Sequence, residues 1–298
     1  MPLVSFQELM VDAERGGYAV GYFESWNLES LQGVVDAAEA VRSPVILGFS
    51  GLSLPDPRRS ASERLELYAS LGLAACATAR VPTALIFNES PRLDWVMRAV
   101  ELGFNVVMFA DEATPLSELR QRVKDTVAVA AGRAAVEAEL ESLPGIVDNL
   151  SVAPEQMEMT DPDAAAEFVA ATGVDALAIS IGNVHLHGRR KVGLDLERLR
   201  AIHERVRIPL VLHGASSIED EALRQAIQGG IRKINVGSVL RNAFYRAVRG
   251  RIAATADTFS PYDVVGSGLP EDVLLAGRLA LRDVVVEKMR LFGSAGRC

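Results

Sequence analysis

The sequence predicts an α/β protein whose eight parallel strands close into one (β/α)8 barrel, the TIM barrel. Eight short apolar runs rich in β-branched residues alternate with segments of helical spacing, which is the pattern of parallel strands joined by helices. The Gly-x-Gly-x-x-Gly turn that marks an open doubly wound sheet does not follow the first run. No Pro-, Gly- or Ser-rich linker divides the chain, so we expect residues 1–298 to form a single barrel domain.

The apolar runs place the predicted strands in order along the chain. We expect them near Tyr18–Phe23, Pro44–Phe49, Thr83–Phe87, Asn105–Phe109, Ala134–Ala138, Ala176–Ile181, Pro209–Leu212 and Lys233–Val236. Apolar residues at i, i+3, i+4 and i+7 predict helices at Leu28–Val41, Ser60–Ala79, Pro115–Ala131, Ala164–Ala171, Leu196–Val206 and Glu219–Gln228. Asp161 is expected to cap the fourth of these, with Pro162 in its first turn. The irregular stretches Leu150–Thr160 and Thr258–Pro270 are predicted to be long loops.

Composition excludes several classes of function. The formal net charge of -8 argues against a nucleic-acid partner, because phosphates require a basic surface. Two cysteines, Cys76 and Cys298, cannot build a disulfide scaffold or a Cys-rich zinc site, and they suit the reducing cytoplasm. No leader opens the chain and no run approaches the roughly 18 apolar residues of a membrane span. We therefore expect a cytoplasmic protein with no membrane partner.

Polar residues follow the predicted strands at the end of a barrel where active sites form. Two of the four histidines, His185 and His213, follow the sixth and seventh strands and can share one mouth. Two histidines and a carboxylate suit a divalent metal, with Glu89 as the leading carboxylate and Glu139 as another. The alternative is a set of unrelated polar residues at strand ends. His203 is expected on a helix surface.

Two loops of small residues follow the seventh and eighth strands. Backbone N–H groups can approach an anion closely in such loops, and the next helix adds a favourable dipole. Phosphate sites of these barrels often lie after the same two strands. The predicted phosphate-binding residues are Gly214, Ala215, Ser216, Asn235, Val236, Gly237 and Ser238. An ordinary tight turn is the alternative for either loop alone. Arg189-Arg190-Lys191 could hold a second anion, although a solvated loop suits it better.

Longer motifs then give a family resemblance along nearly the whole chain. They include TDPDAAAEFVAATGVDALAISIGNVH, IPLVLHGASSI and KINVGSVLRNAF. The sequence resembles the class II, metal-dependent fructose-bisphosphate and tagatose-bisphosphate aldolases. The resemblance implies reversible aldol cleavage of a ketose or sugar phosphate through an enediolate, assisted by Zn²⁺. It also implies metal ligands at His185 and His213, phosphate loops at the residues above, and a homodimer or homotetramer. Glu139 falls on the buried glutamate of the family.

Several positions depart from the family pattern. After the third strand the usual His-x-Asp-His-Gly is Ile86-Phe87-Asn88-Glu89-Ser90, so the catalytic aspartate falls on Asn88 and the third metal histidine on Glu89. The Gly-Ala-Phe-Asn segment is Gly21-Tyr22-Phe23-Glu24, and the mobile loop keeps only Asp148 of its acidic pair. An amide cannot accept and return a proton, so Glu139, Glu24 and Asp148 become candidates for that role.

These departures leave three hypotheses. The favoured one is an aldolase-like lyase with metal ligands Glu89, His185 and His213 and catalytic positions Asn88, Glu139 and Asp148. A carboxylate ligand makes the set less thiophilic, so Mn²⁺, Co²⁺ or Fe²⁺ is acceptable beside Zn²⁺. The alternatives are a non-catalytic homologue that binds a sugar phosphate, and a metal-dependent epimerase or isomerase that uses the same enediolate.

Overall fold

The computed structural model of the chain describes residues 3–141, 145–146, 158–186 and 191–298, with the backbone alone at 145–146 and 185–186. Eight parallel strands close into a barrel in which the first strand pairs with the eighth, so the predicted fold class is confirmed. In chain order the strands are Val20–Ser25, Val45–Ser50, Thr83–Ser90, Val106–Phe109, Ala135–Glu139, Ala176–Ala178, Leu210–Leu212 and Ile231–Val236.

All eight predicted strands are present, and the differences lie at their ends. The third strand runs on to Ser90, and the sixth ends at Ala178 instead of Ile181. Two short segments outside the barrel, Gly145–Ile146 and His185–Leu186, pair with each other in parallel. Most of the predicted loop over 150–160 lies outside the described residues.

Helices cover the outside of the barrel. They are Phe6–Gly16, Leu28–Val41, Leu65–Thr78, Leu93–Leu102, Leu116–Ala130, Pro162–Thr172, Leu196–Arg205, Asp220–Gln228, Ser238–Ala254, Pro261–Val264 and Val273–Leu291, with a 3-10 turn at Ala215–Ser217. Asp161 caps its helix as predicted, because its carboxylate accepts from the N–H groups of Asp163 and Ala164. None of the helices in the described part is long and apolar enough to cross a membrane.

Some of these helices were not predicted from the sequence. Leu93–Leu102 and Ser238–Ala254 follow the third and eighth strands, and Pro261–Val264 lies in the predicted loop 258–270. The helix Ser238–Ala254 buries only Leu240, so its apolar stripe is weak. Ser238–Ala254 packs against the long helix Val273–Leu291, and local spacing cannot reveal a contact between segments so far apart in the sequence.

The barrel interior changes from apolar to polar along the strands. Side chains alternate between the two faces of each strand, so positions two residues apart share the inner face. At the amino-terminal end the inner positions pack with Phe6, Leu9 and Met10 of the first helix, which closes the barrel. Toward the other end, inner positions such as Glu137 and Lys233 are buried but charged. This polar layer lies directly beneath the mouth.

Candidate active site

A cavity of about 320 Å³ opens at the carboxyl ends of the strands. It is lined by Tyr22, Glu24, Ser50, Leu52, Ser53, Asn88, Glu89, Gly214, Ser216, Asn235, Val236, Gly237, Ser238 and Arg241. A second cavity of about 310 Å³ shares Leu52 and Glu89 with the first and adds Asp111, Glu112 and Glu139. Most of the residues predicted for the site therefore meet at one face of the barrel, as the barrel fold requires.

His213 lies at the centre of this face and is 1% exposed. Its Nε2 is 2.9 Å from Oε1 of Glu137, and its Nδ1 is 2.8 Å from Oε1 of Glu89. Oε2 of Glu139 is 3.9 Å from the same Nδ1. A carboxylate that accepts from one ring nitrogen fixes the tautomer and directs the other nitrogen outward, as in histidines that ligate metals.

The buried carboxylates shift the pKa of this cluster. Burial alone lowers the pKa of His213, but the carboxylates of Glu89 and Glu137 raise it to about 10. Burial raises the pKa of Glu139 to about 8, and the charge of Glu89 adds to that effect although His213 opposes it. Three carboxylates crowded around one imidazole therefore favour a bound proton or a bound cation.

Glu137 is neutralised from below by Lys233, and both side chains are 0% exposed. Nζ of Lys233 is 2.7 Å from Oε2 of Glu137 and donates to Oδ1 of Asn235 at 2.5 Å. It also lies 5.4 Å from the centre of the Tyr22 ring. Burial raises the pKa of Glu137, but the Lys233 charge and the His213 hydrogen bond lower it overall. Glu137 is therefore an ionised acceptor behind His213.

Three side chains in the described part can hold a metal ion together. Glu89, Glu139 and His213 each offer one ligand atom, and these atoms lie within 4.8 Å of one another. The donor set fits a divalent metal, because Nδ1 of His213 faces two carboxylates while its other nitrogen is held by Glu137. The side chain of His185, the other predicted histidine ligand, lies outside the described residues.

Asn88 and Glu89 occupy an irregular end of the third strand. Its register with the fourth strand shifts between Phe87 and Ser90, and Glu89 has φ of +53°. Such left-handed backbone is uncommon for a residue other than glycine and is concentrated at functional sites. Nδ2 of Asn88 donates to Oε2 of Glu89 at 2.9 Å. A β-bulge of this kind re-aims side chains, here toward His213.

The two predicted phosphate loops line the first cavity. Gly214 has φ of +68° and begins the 3-10 turn, while Ala215 is buried beneath it. Gly237 precedes the helix that begins at Ser238, so the amino end of that helix lies at the cavity. A Cβ at position 237 would lie 2.5 Å from Oε2 of Glu24, so a larger residue there would displace that carboxylate.

Comparison with known proteins decides the family. A family model described as "Fructose-bisphosphate aldolase class-II" matches residues 4–297. The chain belongs to the class II fructose-bisphosphate aldolase family. The resemblance that the sequence motifs indicate is thereby confirmed.

Solved structures agree with this family assignment. The YdjI aldolase from Escherichia coli K12 is 30% identical, with a TM-score of 0.79 and 99% of each chain covered. A candidate fructose-1,6-biphosphate aldolase from Coccidioides immitis is 26% identical, with a TM-score of 0.81 and coverage of 98% of this chain and 97% of that one. A fructose-bisphosphate aldolase from Campylobacter jejuni, at 20% identity and TM-score 0.75 over 99% and 97% of the chains, shares the fold.

Four residues of this class II aldolase-family chain were missed from the sequence. Glu137 and Lys233 lie two positions before Glu139 and Asn235. Because side chains alternate between the two faces of a strand, each could have been predicted to share the inner face with its later neighbour. The Tyr22 hydroxyl is buried with no hydrogen-bond partner among the described residues and lines the first cavity. Arg241 lies one helical turn beyond Ser238 and lines it too.

Arg241 brings a positive charge to the cavity that the two predicted phosphate loops line in this class II aldolase-family barrel. Its guanidinium pairs with the carboxylate of Glu24 and lies 4.7 Å from the centre of the Trp26 ring. Burial raises the pKa of Glu24, while Arg241 opposes that shift. The Glu24–Arg241 pair is the charged wall of the first cavity.

The predicted residues Asp148, Arg189 and Arg190 lie outside the described part of the chain. Asp111 accepts hydrogen bonds from the Thr114 hydroxyl at 2.6 Å and the Ala113 N–H at 3.1 Å, so it stabilises the turn there. His203 is half-buried, not a surface residue as predicted. It lines a cavity of about 500 Å³ that also includes Gln7 and Met10 of the first helix, which closes the amino-terminal end of the barrel.

Proposed function

We propose that the protein is a metal-dependent aldolase-type lyase that cleaves and forms a carbon–carbon bond in a phosphorylated ketose. The observation that carries the proposal is His213, held at Nε2 by Glu137 with Nδ1 facing Glu89 and Glu139 at the barrel mouth. Metal-binding histidines have this arrangement. Membership of the class II aldolase family supports the same reaction class.

The proposed metal ligands are Glu89, His213 and the predicted His185, with Glu139 as a further carboxylate. When bound, a divalent metal supplies Lewis-acid polarisation of the substrate carbonyl and charge stabilisation for the enediolate. We favour Zn²⁺, and the oxygen ligands also suit Mn²⁺, Co²⁺ or Fe²⁺. The residues themselves fix the geometry, because Glu137 orients the imidazole and Lys233 neutralises Glu137.

Substrate binding is assigned to the first cavity. The loops Gly214–Ser216 and Asn235–Ser238 offer small residues and a helix amino end to a phosphate, and Arg241 adds a cation. The free Tyr22 hydroxyl is available to donate to a substrate oxygen. Residue 88 is an amide, so proton transfer is assigned to a carboxylate. The candidates are Glu139, Glu24 and the predicted Asp148.

Metal analysis and an activity assay test the proposal together. The purified protein is reconstituted with Zn²⁺ or Mn²⁺, and release of dihydroxyacetone phosphate is followed on a panel of ketose phosphates. We expect about one bound metal per chain and measurable cleavage. His213→Ala should lose both, whereas His203→Ala at the far end of the barrel should retain both. Wild-type protein that binds no metal after reconstitution would exclude the proposal.

An epimerase or isomerase is the second candidate, because Asn88 stands where the family has its acid–base aspartate. Such an enzyme would exchange the substrate proton with solvent deuterium and leave the carbon chain intact. If every substrate that exchanges its proton for deuterium is also cleaved at a carbon–carbon bond, this candidate is excluded. A non-catalytic homologue would bind sugar phosphates in a thermal-shift assay but show neither exchange nor fragmentation.

Assembly is a separate part of the proposal. The family resemblance supports a homodimer or homotetramer, and exposed apolar side chains support a contact between copies. Tyr262 is 88% exposed, and Phe259 and Val265 are exposed in the same segment. Light scattering after size exclusion tests this part, and a mass of one chain at all concentrations would contradict it. The cytoplasmic location stays a prediction from the cysteine content.

A further inference from the structure

Six side chains around the candidate metal site form a closed ring of polar contacts. In order around the ring they are Glu89, His213, Glu137, Lys233, Asn235 and Asn88. The contacts join the third, fifth, seventh and eighth strands of the barrel. Each neighbouring pair matches a donor with an acceptor when Nδ1 of His213 carries a proton, and a cation bound at Nδ1 takes the place of that proton, so the ring fixes the orientation of its members.

The two amides of the ring are oriented by the charges at their ends. Lys233 can only donate, so it contacts Oδ1 of Asn235, at 2.5 Å. Nδ2 of Asn235 therefore faces Oδ1 of Asn88, at 3.4 Å. This leaves Nδ2 of Asn88 to donate to Oε2 of Glu89 at 2.9 Å. An ionised Glu89 carboxylate can only accept, so an amide suits position 88 and an ionised aspartate would not.

Glu89 needs such a partner, because its backbone is in the left-handed region at φ of +53°. That conformation is strained for a residue other than glycine and persists only when surrounding contacts hold it. Asn88 holds one carboxylate oxygen, and Nδ1 of His213 lies 2.8 Å from the other. An aspartate at position 88 would instead add a carboxylate beside Glu89, Glu137 and Glu139. With a divalent cation bound, these three carboxylates are balanced by the cation and Lys233.

We propose that Asn88 and Glu89 are a matched pair, in which Asn88 is a positioning residue that orients the Glu89 carboxylate toward the cation. Asn88 acts through Glu89 and takes no proton itself. The inference rests on the proposed function, since it assumes that Glu89 is a metal ligand. The inference goes beyond the proposed function because it gives the changed residue Asn88 a role that depends on Glu89.

A double-mutant cycle on metal affinity tests this inference. Mn²⁺ binding to metal-free protein is measured by calorimetry for wild type, Asn88→Ala, Glu89→Gln and the double variant. Asn88→Ala should raise the Mn²⁺ dissociation constant roughly 10–100-fold, as loss of a partner that orients a ligand does. In the Glu89→Gln background the same change should have an effect of no more than about twofold, because the carboxylate that Asn88 orients is gone.

The visible spectrum of the Co²⁺-loaded protein gives a second readout, because it reports the coordination geometry. We expect Asn88→Ala to change that spectrum. Asn105→Ala is the matched control, since Asn105 is a structural asparagine that bonds to Leu85 and Val4. It should lower thermal stability and leave both the Mn²⁺ affinity and the Co²⁺ spectrum unchanged.

The outcomes distinguish a failure of the Asn88–Glu89 pair from a failure of the proposed function. Equal effects of Asn88→Ala in both backgrounds, or an unchanged Co²⁺ spectrum, would overturn the matched pair and leave the proposed function intact. Wild-type protein that binds neither Mn²⁺ nor Co²⁺ would overturn the proposed function, and the inference would fail with it.

Discussion

At the scale of single residues, Lys233 carries the main electrostatic compensation beneath the candidate site. Its ammonium contacts Glu137, which in turn holds the imidazole of His213. A buried carboxylate without such a partner is costly, because its charge is removed from water. Lys233 thus links the stability of the barrel to the tautomer of the proposed metal ligand.

Lys233→Met should therefore destabilise the protein by about 3–5 kcal/mol, the usual cost of leaving one member of a buried ion pair alone. Urea unfolding measures the loss. The double variant Lys233→Met/Glu137→Gln should recover much of it, because no charge is then left unpaired. A double variant as unstable as the single one would show that the Lys233 charge is not what matters.

The two cysteines are expected to differ in reactivity because they differ in burial. Burial raises the pKa of the Cys76 thiol to about 11, and Cys76 is inaccessible. Cys298 is half-buried at the end of the chain, so a reagent can reach it although burial raises its pKa too. Since only the thiolate reacts, native protein at pH 8 should titrate one thiol with a disulfide reagent, and unfolded protein two. Rapid reaction of both thiols in native protein would contradict this.

At the scale of elements, the caps and close contacts of the outer layer hold the barrel in register. The buried Asp272 caps the helix Val273–Leu291, and its carboxylate accepts from the N–H groups of Gly268 and Leu274. Within the barrel, Gly48 of the second strand touches the third so closely that an added Cβ would lie 2.1 Å from the Ile86 carbonyl oxygen. Both contacts lead to testable expectations.

Asp272→Ala should cost about 1–2 kcal/mol at pH 7, because the helix loses its cap. Burial raises the pKa of Asp272, but the backbone N–H groups lower it overall below its ordinary 3.8. A lowered folded-state pKa means that the stabilisation is complete above that ordinary value and is lost as the pH falls below it. Urea unfolding of wild type and variant should therefore converge as the pH falls below 3.8 and through the lowered pKa of Asp272. The exposed neighbour Glu271→Ala should show little effect at either pH.

Gly48→Ala tests the contact between the second and third strands. The added methyl group would meet backbone, which cannot move aside without disturbing the ladder, so we expect a loss of about 1–3 kcal/mol or more. Gly250→Ala is the matched control, because a Cβ at position 250 meets nothing within 4 Å. On a helix, that control should be neutral or stabilising.

At the scale of the whole molecule, barrel closure joins the two ends of the chain. Val20 of the first strand pairs with Lys233 of the eighth, and the final long helix packs against both Leu28–Val41 and Ser238–Ala254. No strand can leave without breaking ladders on both of its sides. The fold therefore supports the proposal that the chain is one cooperative domain.

Calorimetry tests that proposal. We expect a single unfolding transition whose calorimetric enthalpy equals the van't Hoff enthalpy, because closure couples all eight strands. Metal should raise its midpoint if it binds only the folded state. Two resolved transitions in metal-free protein would contradict a single domain.

The sequence by itself determined the fold class and much of the site, because those signals are local. Apolar runs and helical spacing depend on near neighbours, so all eight strands could be found from them. His213 and the two small-residue loops follow strands, and every barrel gathers such positions at one face. Asn88 and Glu89 were identified as changed positions, but their effect on each other was not.

Only the tertiary structure decided which charged side chains meet. Alternation along the fifth strand directs Glu137 and Glu139 inward, yet it cannot show that Glu137 binds His213, which is 76 residues away. Closure of the barrel sets that pairing, and it also places Lys233 under Glu137 and Asn235 beside Asn88. These contacts depend on strand order and register across the barrel, and the free energy that fixes them comes from packing of the whole fold, not from any one segment.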